Sequence, residues 1–372
     1  MSRPAIAHIR LDAFRHNYRI AKQQHGGNAL AVVKANAYGH GAIQCAKAIA
    51  NEADGFAVAC LEEALELRQA GIQNPILLLE GFFEENELAE IVANDCWLVL
   101  HAQWQVKQLL ASKLAKPVQV WLKLDSGMHR VGLSPTDYIS AFKQLNQHKS
   151  ISKIVHMTHF ANADNLNSTH TVQQLVLFEQ TMHATTGDAL LETSLANSAA
   201  VLGWPQVFTQ QQQWSRPGIM LYGANPIHTH LHSQTLRPVM QLSSEIISIQ
   251  RIQQGESIGY GSIFTAARDT LVGVVACGYA DGYPRSAVNA PVAVNGQITQ
   301  VIGRVSMDML MVDLTDIASA KVGSLVELWG DQVPANAVAN AAGTIAYELF
   351  CNVKRVQFRY SDISLPNADL TL

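Results

Sequence analysis

An apolar run from Ala29 to Val33 ends in Lys34, and Ala35-Asn36-Ala37-Tyr38-Gly39-His40-Gly41 follows it. An amine at the mouth of a buried strand is partly stripped of water. That disfavours its charged form, and a neutral lysine can form a Schiff base with an aldehyde. Tyr38 lies four residues on, so a helix beginning at the lysine would stand a phenol beside it, able to offer its hydroxyl to a phosphate. A lysine that only lays its stem along a strand end has the same spacing.

Other reactive side chains fall at the ends of apolar runs or within them. His159 directly follows Ile151 to Thr158, Arg130 and Lys123 flank the end of Pro117 to Leu124, and Arg216 lies within Gln213 to Leu221. A guanidinium keeps its proton under ordinary conditions and offers a fork to a carboxylate. Asn197-Ser198 and Gly218-Ile219 supply donors after the seventh run and within the eighth, where barrels commonly hold phosphate, and Gly218 admits close backbone approach. Taken singly, Ser198 is also an ordinary helix cap, Gly218 a turn, His159 a hydrogen-bonded rim residue and Tyr347 a packing residue. Tyr260 sits far away in Gly259-Tyr260-Gly261-Ser262-Ile263-Phe264-Thr265-Ala266. A phenol with a pKa near ~10 is a feeble base at neutral pH and needs a neighbour that favours its charge or shuttles its proton.

The elements that must position these groups follow from periodicity. Eight short apolar runs occur: Ala29 to Val33, Gly55 to Ala59, Pro75 to Leu79, Trp97 to Leu100, Pro117 to Leu124, Ile151 to Thr158, Leu190 to Thr193 and Gln213 to Leu221. Most are separated by segments of helical spacing, such as Leu61 to Ala70 and Val172 to Met182. This alternation predicts an α/β chain whose residues 1–235 form a (β/α)8 TIM-type barrel. From Leu236 the texture changes to β-branched alternation with Gly, Asn and Asp turns, as in Leu271 to Cys277, Pro291 to Val294 and Leu325 to Trp329, predicting a mainly β domain over 236–372. The polar junction 227–238, with His228, His230, His232 and Pro238, reads as a linker.

With 372 residues, 48% of them hydrophobic, the chain can bury a substantial core in two such units. Its 26 Lys+Arg against 30 Asp+Glu give a net charge of -4 with no long run of either sign, which argues against a nucleic-acid partner. Met1 to Arg10 holds no uninterrupted apolar stretch, so it reads as neither a secretory signal nor a membrane span, and a cytoplasmic protein is expected. Cys45, Cys60, Cys96, Cys277 and Cys351 are scattered without CxxC spacing, arguing against a disulfide framework or a zinc cluster. The alternate histidines 228, 230 and 232 have no acidic or cysteine ligand close by, so no metal is expected. Gly26-Gly27 follows neither the dinucleotide nor the P-loop pattern.

The string AVVKANAYGHG closely resembles the pyridoxal 5'-phosphate (PLP) lysine motif of alanine racemases, and GYGSIFTA resembles that family's catalytic tyrosine motif. Further similar motifs follow in family order: Lys123 to Arg130, Thr158-His159-Phe160, Ala196 to Ala199, Arg216 to Ile219, Gly278 to Arg285, Gly303 to Asp308 and Tyr347-Glu348-Leu349. The resemblance covers nearly the whole chain. It implies that Lys34 carries PLP and serves the D-enantiomer face of the substrate, while Tyr260 serves the L face. By the same resemblance His159 contacts the tyrosine, Arg216 contacts the pyridine nitrogen, and Tyr38, Asn197, Ser198, Gly218, Ile219 and Tyr347 help bind the cofactor. Arg130, the backbone N–H of Met307 and the adjacent Asp308 would receive the substrate, Tyr279 and Tyr347 would narrow the entrance, and Lys123 matches a lysine that many members carry carbamylated.

Because Tyr260 and Met307 belong to the second domain and Lys34 and Arg130 to the barrel, the family pattern implies a homodimer with shared active sites. The product would be D-alanine for peptidoglycan. A racemase of broader or serine specificity is the nearest alternative. A barrel-type PLP decarboxylase lacks support, since there is no glycine triplet for its phosphate and a GYG tyrosine stands where its cysteine would be. A non-catalytic PLP carrier has no need of the second domain.

Overall fold

The structure, a computed structural model, describes residues 3–187, 189–207, 213–227 and 236–362. After β1 (Ile6–Arg10), eight strands succeed one another: β2 (Asn28–Val32), β3 (Gly55–Val58), β4 (Ile76–Leu78), β5 (Cys96–Leu100), β6 (Val118–Lys123), β7 (Ile151–Met157), β8 (Thr193–Ser194) and β9 (Trp214–Ser215). Strands β2 to β8 pair in parallel, each with the next, and β9 pairs with β2. Parallel bridges Thr193–Gln213 and Asn197–Arg216 bring β8 against β9, closing the barrel.

Each of the eight expected runs therefore carries a barrel strand. Strands β3 and β4 are buried at every residue, and β2, β5 and β6 at all but one, as expected of a parallel sheet covered on both faces. The run Gln213 to Leu221 yields only two strand residues. Pro217 has no N–H to continue a ladder, and the chain turns into a short 3-10 helix over Ile219–Tyr222.

The second sheet contains β1, β10 (Met240–Ile252), β13 (Thr270–Val275), β14 (Pro291–Val294), β15 (Gln297–Gln300), β16 (Leu310–Asp313), β17 (Leu325–Trp329) and β18 (Gln357–Ser361). Strands β11 (Ser257–Ile258) and β12 (Phe264–Thr265) form a separate small hairpin. The three β segments expected after residue 236 each hold a strand. One boundary needs correcting: residues 1–235 are not all barrel, because β1 pairs antiparallel with β10 and parallel with β18. Its alternating burial, with Ala7 and Ile9 inward, is that of a strand with one covered face.

The expected linker histidines, His228, His230 and His232, lie outside the described residues. Among the described residues, no helix is long and apolar enough to cross a membrane, and no group of three or more His, Cys, Asp or Glu could hold a metal ion.

Candidate active site

A cavity of about 630 Å³ opens at the C-terminal ends of the barrel strands, the end where barrel chemistry is housed. It brings together Lys34, Tyr38, Lys123, Arg130, His159, Asn197, Ser198, Arg216, Gly218, Ile219 and Tyr347. Tyr260, Tyr279, Met307 and Asp308 do not line it.

The local path after Lys34 differs from a right-handed helix. Ala35, Asn36, Ala37 and Tyr38 all have φ of +51° to +53°, forming one left-handed turn. For an L-residue this hand costs about 1–2 kcal/mol each. None of the four is β-branched, and Gly39 and Gly41 continue at positive φ. The turn is held from outside: Glu63 Oε1 accepts from the Ala35 N–H at 2.7 Å, and Asn36 Oδ1 accepts from the Ala42 N–H at 2.9 Å. Lys34, two residues past the end of β2, therefore stands on a fixed backbone and faces the cavity.

Arg216 is buried and carries no carboxylate partner among the described residues. It donates to the carbonyls of Thr158 at 2.7 Å and Leu195 at 3.4 Å, to the Ser194 hydroxyl, and to His159 Nδ1 at 3.3 Å. A guanidinium has nothing to accept with, so His159 Nδ1 must be the unprotonated nitrogen and Nε2 carries the proton. Desolvation, with Arg216 close by, pushes the His159 pKa well below the usual histidine range, so the ring is neutral at working pH. Burial brings Arg216 down to about 9, which still leaves it a cation at neutral pH.

Lys123 ends β6 and is also buried. Desolvation, then the charges of Arg216 and Arg130, lower its pKa to about 7. No salt bridge from it occurs among the described residues, so a plain ion pair with an acidic neighbour does not explain this lysine.

At the other side of the cavity, Ser198 Oγ accepts from the Gly218 N–H at 2.8 Å and the Met220 N–H at 3.3 Å. Its own proton is left to donate. A Cβ at Gly218 would come 2.5 Å from the Tyr38 hydroxyl, so only glycine admits that phenol. The Tyr38 ring lies 4.8 Å from Tyr222 and 5.7 Å from Tyr347, centroid to centroid. Burial raises the Tyr38 pKa strongly and that of Tyr347 to about 12, keeping both hydroxyls protonated. A serine and two neutral phenols beside a glycine are donors suited to a phosphate, and Lys34 is an amine suited to an aldehyde. These residues fit PLP.

The remaining expected residues lie on the other domain. Tyr260, between β11 and β12, is 70% exposed, and Met307 is 53% exposed. The loops of Tyr279 and Met307 are one unit, since the Tyr279 N–H donates to the Ser306 carbonyl at 3.1 Å and the Ala280 N–H to the Met307 carbonyl at 2.9 Å. Arg3 fastens that unit. Its guanidinium grips the fully buried Asp281 carboxylate at 2.9 and 2.8 Å and also donates to the Asp308 carbonyl at 3.0 Å.

Several residues of the site carried no signal that sequence reasoning used. Glu63 is an acid in the first turn of the helix after β3, a place where acids are common anyway. His40 and Asp281 lie inside the quoted motifs without an assigned role, and Arg3 is 278 residues from its partner.

The sequence profile of alanine racemase N-terminal domains matches residues 9–226, and that of alanine racemase C-terminal domains matches residues 239–360. The chain belongs to the alanine racemase family. A catabolic alanine racemase of Pseudomonas putida is 56% identical over 360 residues, covering 96% of this chain and 99% of that one. The crystal structure of the biosynthetic alanine racemase from Pseudomonas aeruginosa superposes with a TM-score of 0.91 at 45% identity, covering 96% and 99% of the two chains. That of the Bartonella henselae alanine racemase, with covalently bound pyridoxal phosphate, gives 0.85 at 29% identity over 96% and 99%. The reaction of this chain is the interconversion of L- and D-alanine, and its cofactor is PLP.

Proposed function

We propose that Lys34 of one copy and Tyr260 of a second copy exchange protons with alanine Cα from opposite faces. The observation that carries this reading is the separation of Tyr260 from the barrel cavity. The barrel cavity holds an amine, a guanidinium for a carboxylate and donors for a phosphate, while the phenol that must serve as the second base stands exposed outside it. A two-fold dimer would seat each Tyr260 hairpin over the partner's cavity, with the Tyr279 and Met307 loops beside it.

Bound at Lys34, PLP supplies the electron sink for the charge left when the Cα proton departs. The side chains supply placement and proton transfer. Lys34 takes or returns the proton on the D face and Tyr260 on the L face. His159, neutral and carrying its proton on Nε2, is the proton partner for Tyr260. Arg216, still a cation at neutral pH, would hold the pyridine nitrogen unprotonated and restrain delocalisation, which limits side reactions such as transamination. Tyr38, Asn197, Ser198, Gly218, Ile219 and Tyr347 would hold the rest of the cofactor. Arg130 and the Met307 N–H would receive the substrate carboxylate, with Asp308 beside them and Tyr279 at the entrance.

Lys123 is suited to carbamylation. At its lowered pKa the amine is half neutral near pH 7, and a neutral amine adds to carbon dioxide, forming an N–C bond and releasing a proton. The resulting anion would balance and orient Arg130.

A cytoplasmic location is supported by the five cysteines, all unpaired. The resemblance implies a supply of D-alanine for peptidoglycan, and the relatives are named both biosynthetic and catabolic. Enantiomers have equal energy in solution, so the same site serves either direction. The purified protein with PLP and L-alanine, L-serine or L-lysine, followed by chiral analysis, tests the reading. D-alanine should dominate; its absence overturns the assignment, and a larger yield of D-serine favours the broader-specificity alternative. Lys34→Ala should abolish the visible absorbance of the bound cofactor.

A further inference from the structure

We propose that His40 and Glu63 are positioning residues that divide the left-handed turn between them, His40 setting Tyr38 for the cofactor's phosphate and Glu63 setting Lys34 for its aldehyde. The inference rests on the assignment of Tyr38 to the phosphate and of Lys34 to the aldehyde.

The turn has a reactive residue at each end, and each end has its own clamp. Beside Lys34, the Glu63 carboxylate is bidentate: Oε1 accepts from the Ala35 N–H at 2.7 Å and Oε2 from the Ala59 N–H at 2.7 Å. It thus ties the peptide following Lys34 to the peptide following β3. At the far end, His40 Nδ1 lies 3.0 Å from both the Ala37 and the Tyr38 carbonyl oxygens. Carbonyls only accept, so the proton must sit on Nδ1 and bridge both oxygens.

That tautomer leaves Nε2 with a lone pair, and Nε2 is buried with no hydrogen-bond partner among the described residues. Burying an unpaired acceptor is costly, and an apolar side chain in the same space would avoid it. The Nδ1–H is the compensation: the Ala37 carbonyl also accepts from the His40 backbone N–H at 3.0 Å, and the imidazole is the donor that reaches the Tyr38 carbonyl. Tyr222 at 4.5 Å and Phe350 at 4.9 Å hold the ring in place. Burial brings its pKa to about 4, so the clamp stays neutral wherever the enzyme works. Tyr38 then projects from a fixed backbone to a hydroxyl position that Gly218 alone leaves open.

The test is titration of the cofactor-free full chain with PLP and with pyridoxal, which lacks the phosphate, followed by absorbance of the bound form. Loss of the bridging hydrogen bond in His40→Leu should weaken PLP about tenfold and leave pyridoxal unchanged. His40→Asn, whose amide nitrogen stands near the place of Nδ1, should restore most of the loss. Glu63→Gln, which turns one acceptor into a donor, should weaken PLP and pyridoxal alike, about tenfold. Equal loss of both ligands in His40→Leu, loss of neither, or an Asn variant no better than Leu overturns the role of His40. A Glu63→Gln variant that binds pyridoxal as the parent does overturns the role of Glu63.

Tyr38→Phe separates the two layers of the argument. If it binds PLP normally, the phosphate assignment fails; if it loses PLP selectively while His40→Leu does not, the clamp alone fails. Should His40→Leu not fold, imidazole 15N shifts of the wild-type holoenzyme decide, because a proton found on Nε2 removes the donor and the proposal with it.

Discussion

Lys34→Ala and Tyr260→Phe should each inactivate the enzyme alone and restore it together. The two residues occupy different places in one chain, with Lys34 in the barrel cavity and Tyr260 exposed on the hairpin between β11 and β12. In a dimer built from one copy of each variant, one site combines the intact lysine of the Tyr260→Phe chain with the intact tyrosine of the Lys34→Ala chain. The other site carries both lesions. Random pairing makes about half of all dimers mixed, and each mixed dimer has half its sites intact, so the mixture should reach about a quarter of wild-type activity. Mixed dimers purified through two different affinity tags should reach about half. The assay is D-alanine formation after co-expression, against each variant by itself. Purified mixed dimers no more active than their parents would refute the shared site, because a site contained in one chain could not be repaired by a second.

The lowered Lys123 pKa gives a pH signature. Between the folded value of about 7 and the ordinary 10.5, the unfolded chain binds a proton that the folded chain does not, so this group favours folding progressively as pH rises through that window. In the same window the folded amine is neutral about a thousandfold more often at pH 7 than an ordinary lysine. 13C-bicarbonate should therefore label the protein by NMR at pH 8, lose the label at pH 5, and leave Lys123→Arg unlabelled; a pH-independent signal contradicts this. Gly218→Ala, whose added methyl meets the Tyr38 hydroxyl at 2.5 Å, should weaken PLP about tenfold or more in an absorbance titration. Asp281→Asn frees Arg3 from its buried anchor and should destabilise the chain by about 1–3 kcal/mol in denaturant melts. It should also raise KM for alanine more than it lowers kcat, since the Met307 loop would still form but less firmly.

The barrel was legible because parallel strands covered on both faces must be apolar along their length, and runs such as Ile76–Leu78 and Phe56–Val58 have no other reading between helices. Lys34 stood out as a charge at the end of such a run, whereas Lys123 and Arg216 took their roles from the family resemblance. The hand of the turn after Lys34 was not legible. It depends on Glu63, 28 residues from its partner, and on a His40 ring whose place is set by Tyr222 and Phe350, and the local sequence only permits it by lacking β-branched residues. Strand β1 was hidden because five residues of half-buried alternation are too short to announce a partner hundreds of residues away. The proposed split of the site between two copies came from the family resemblance; no spacing within one chain encodes such a split.

Strand β1 precedes the barrel in the chain, yet its neighbours β10 and β18 both come after it. Since synthesis proceeds from the N-terminus, the barrel strands leave the ribosome while β1 still waits for a place. A chain halted near residue 235 would own most of its cofactor cavity but leave Arg3 with neither Asp281 nor the Asp308 carbonyl to hold. The cavity is finished only when Tyr347 arrives, and the last strand to emerge, β18, is the one that seals an edge laid down at the outset.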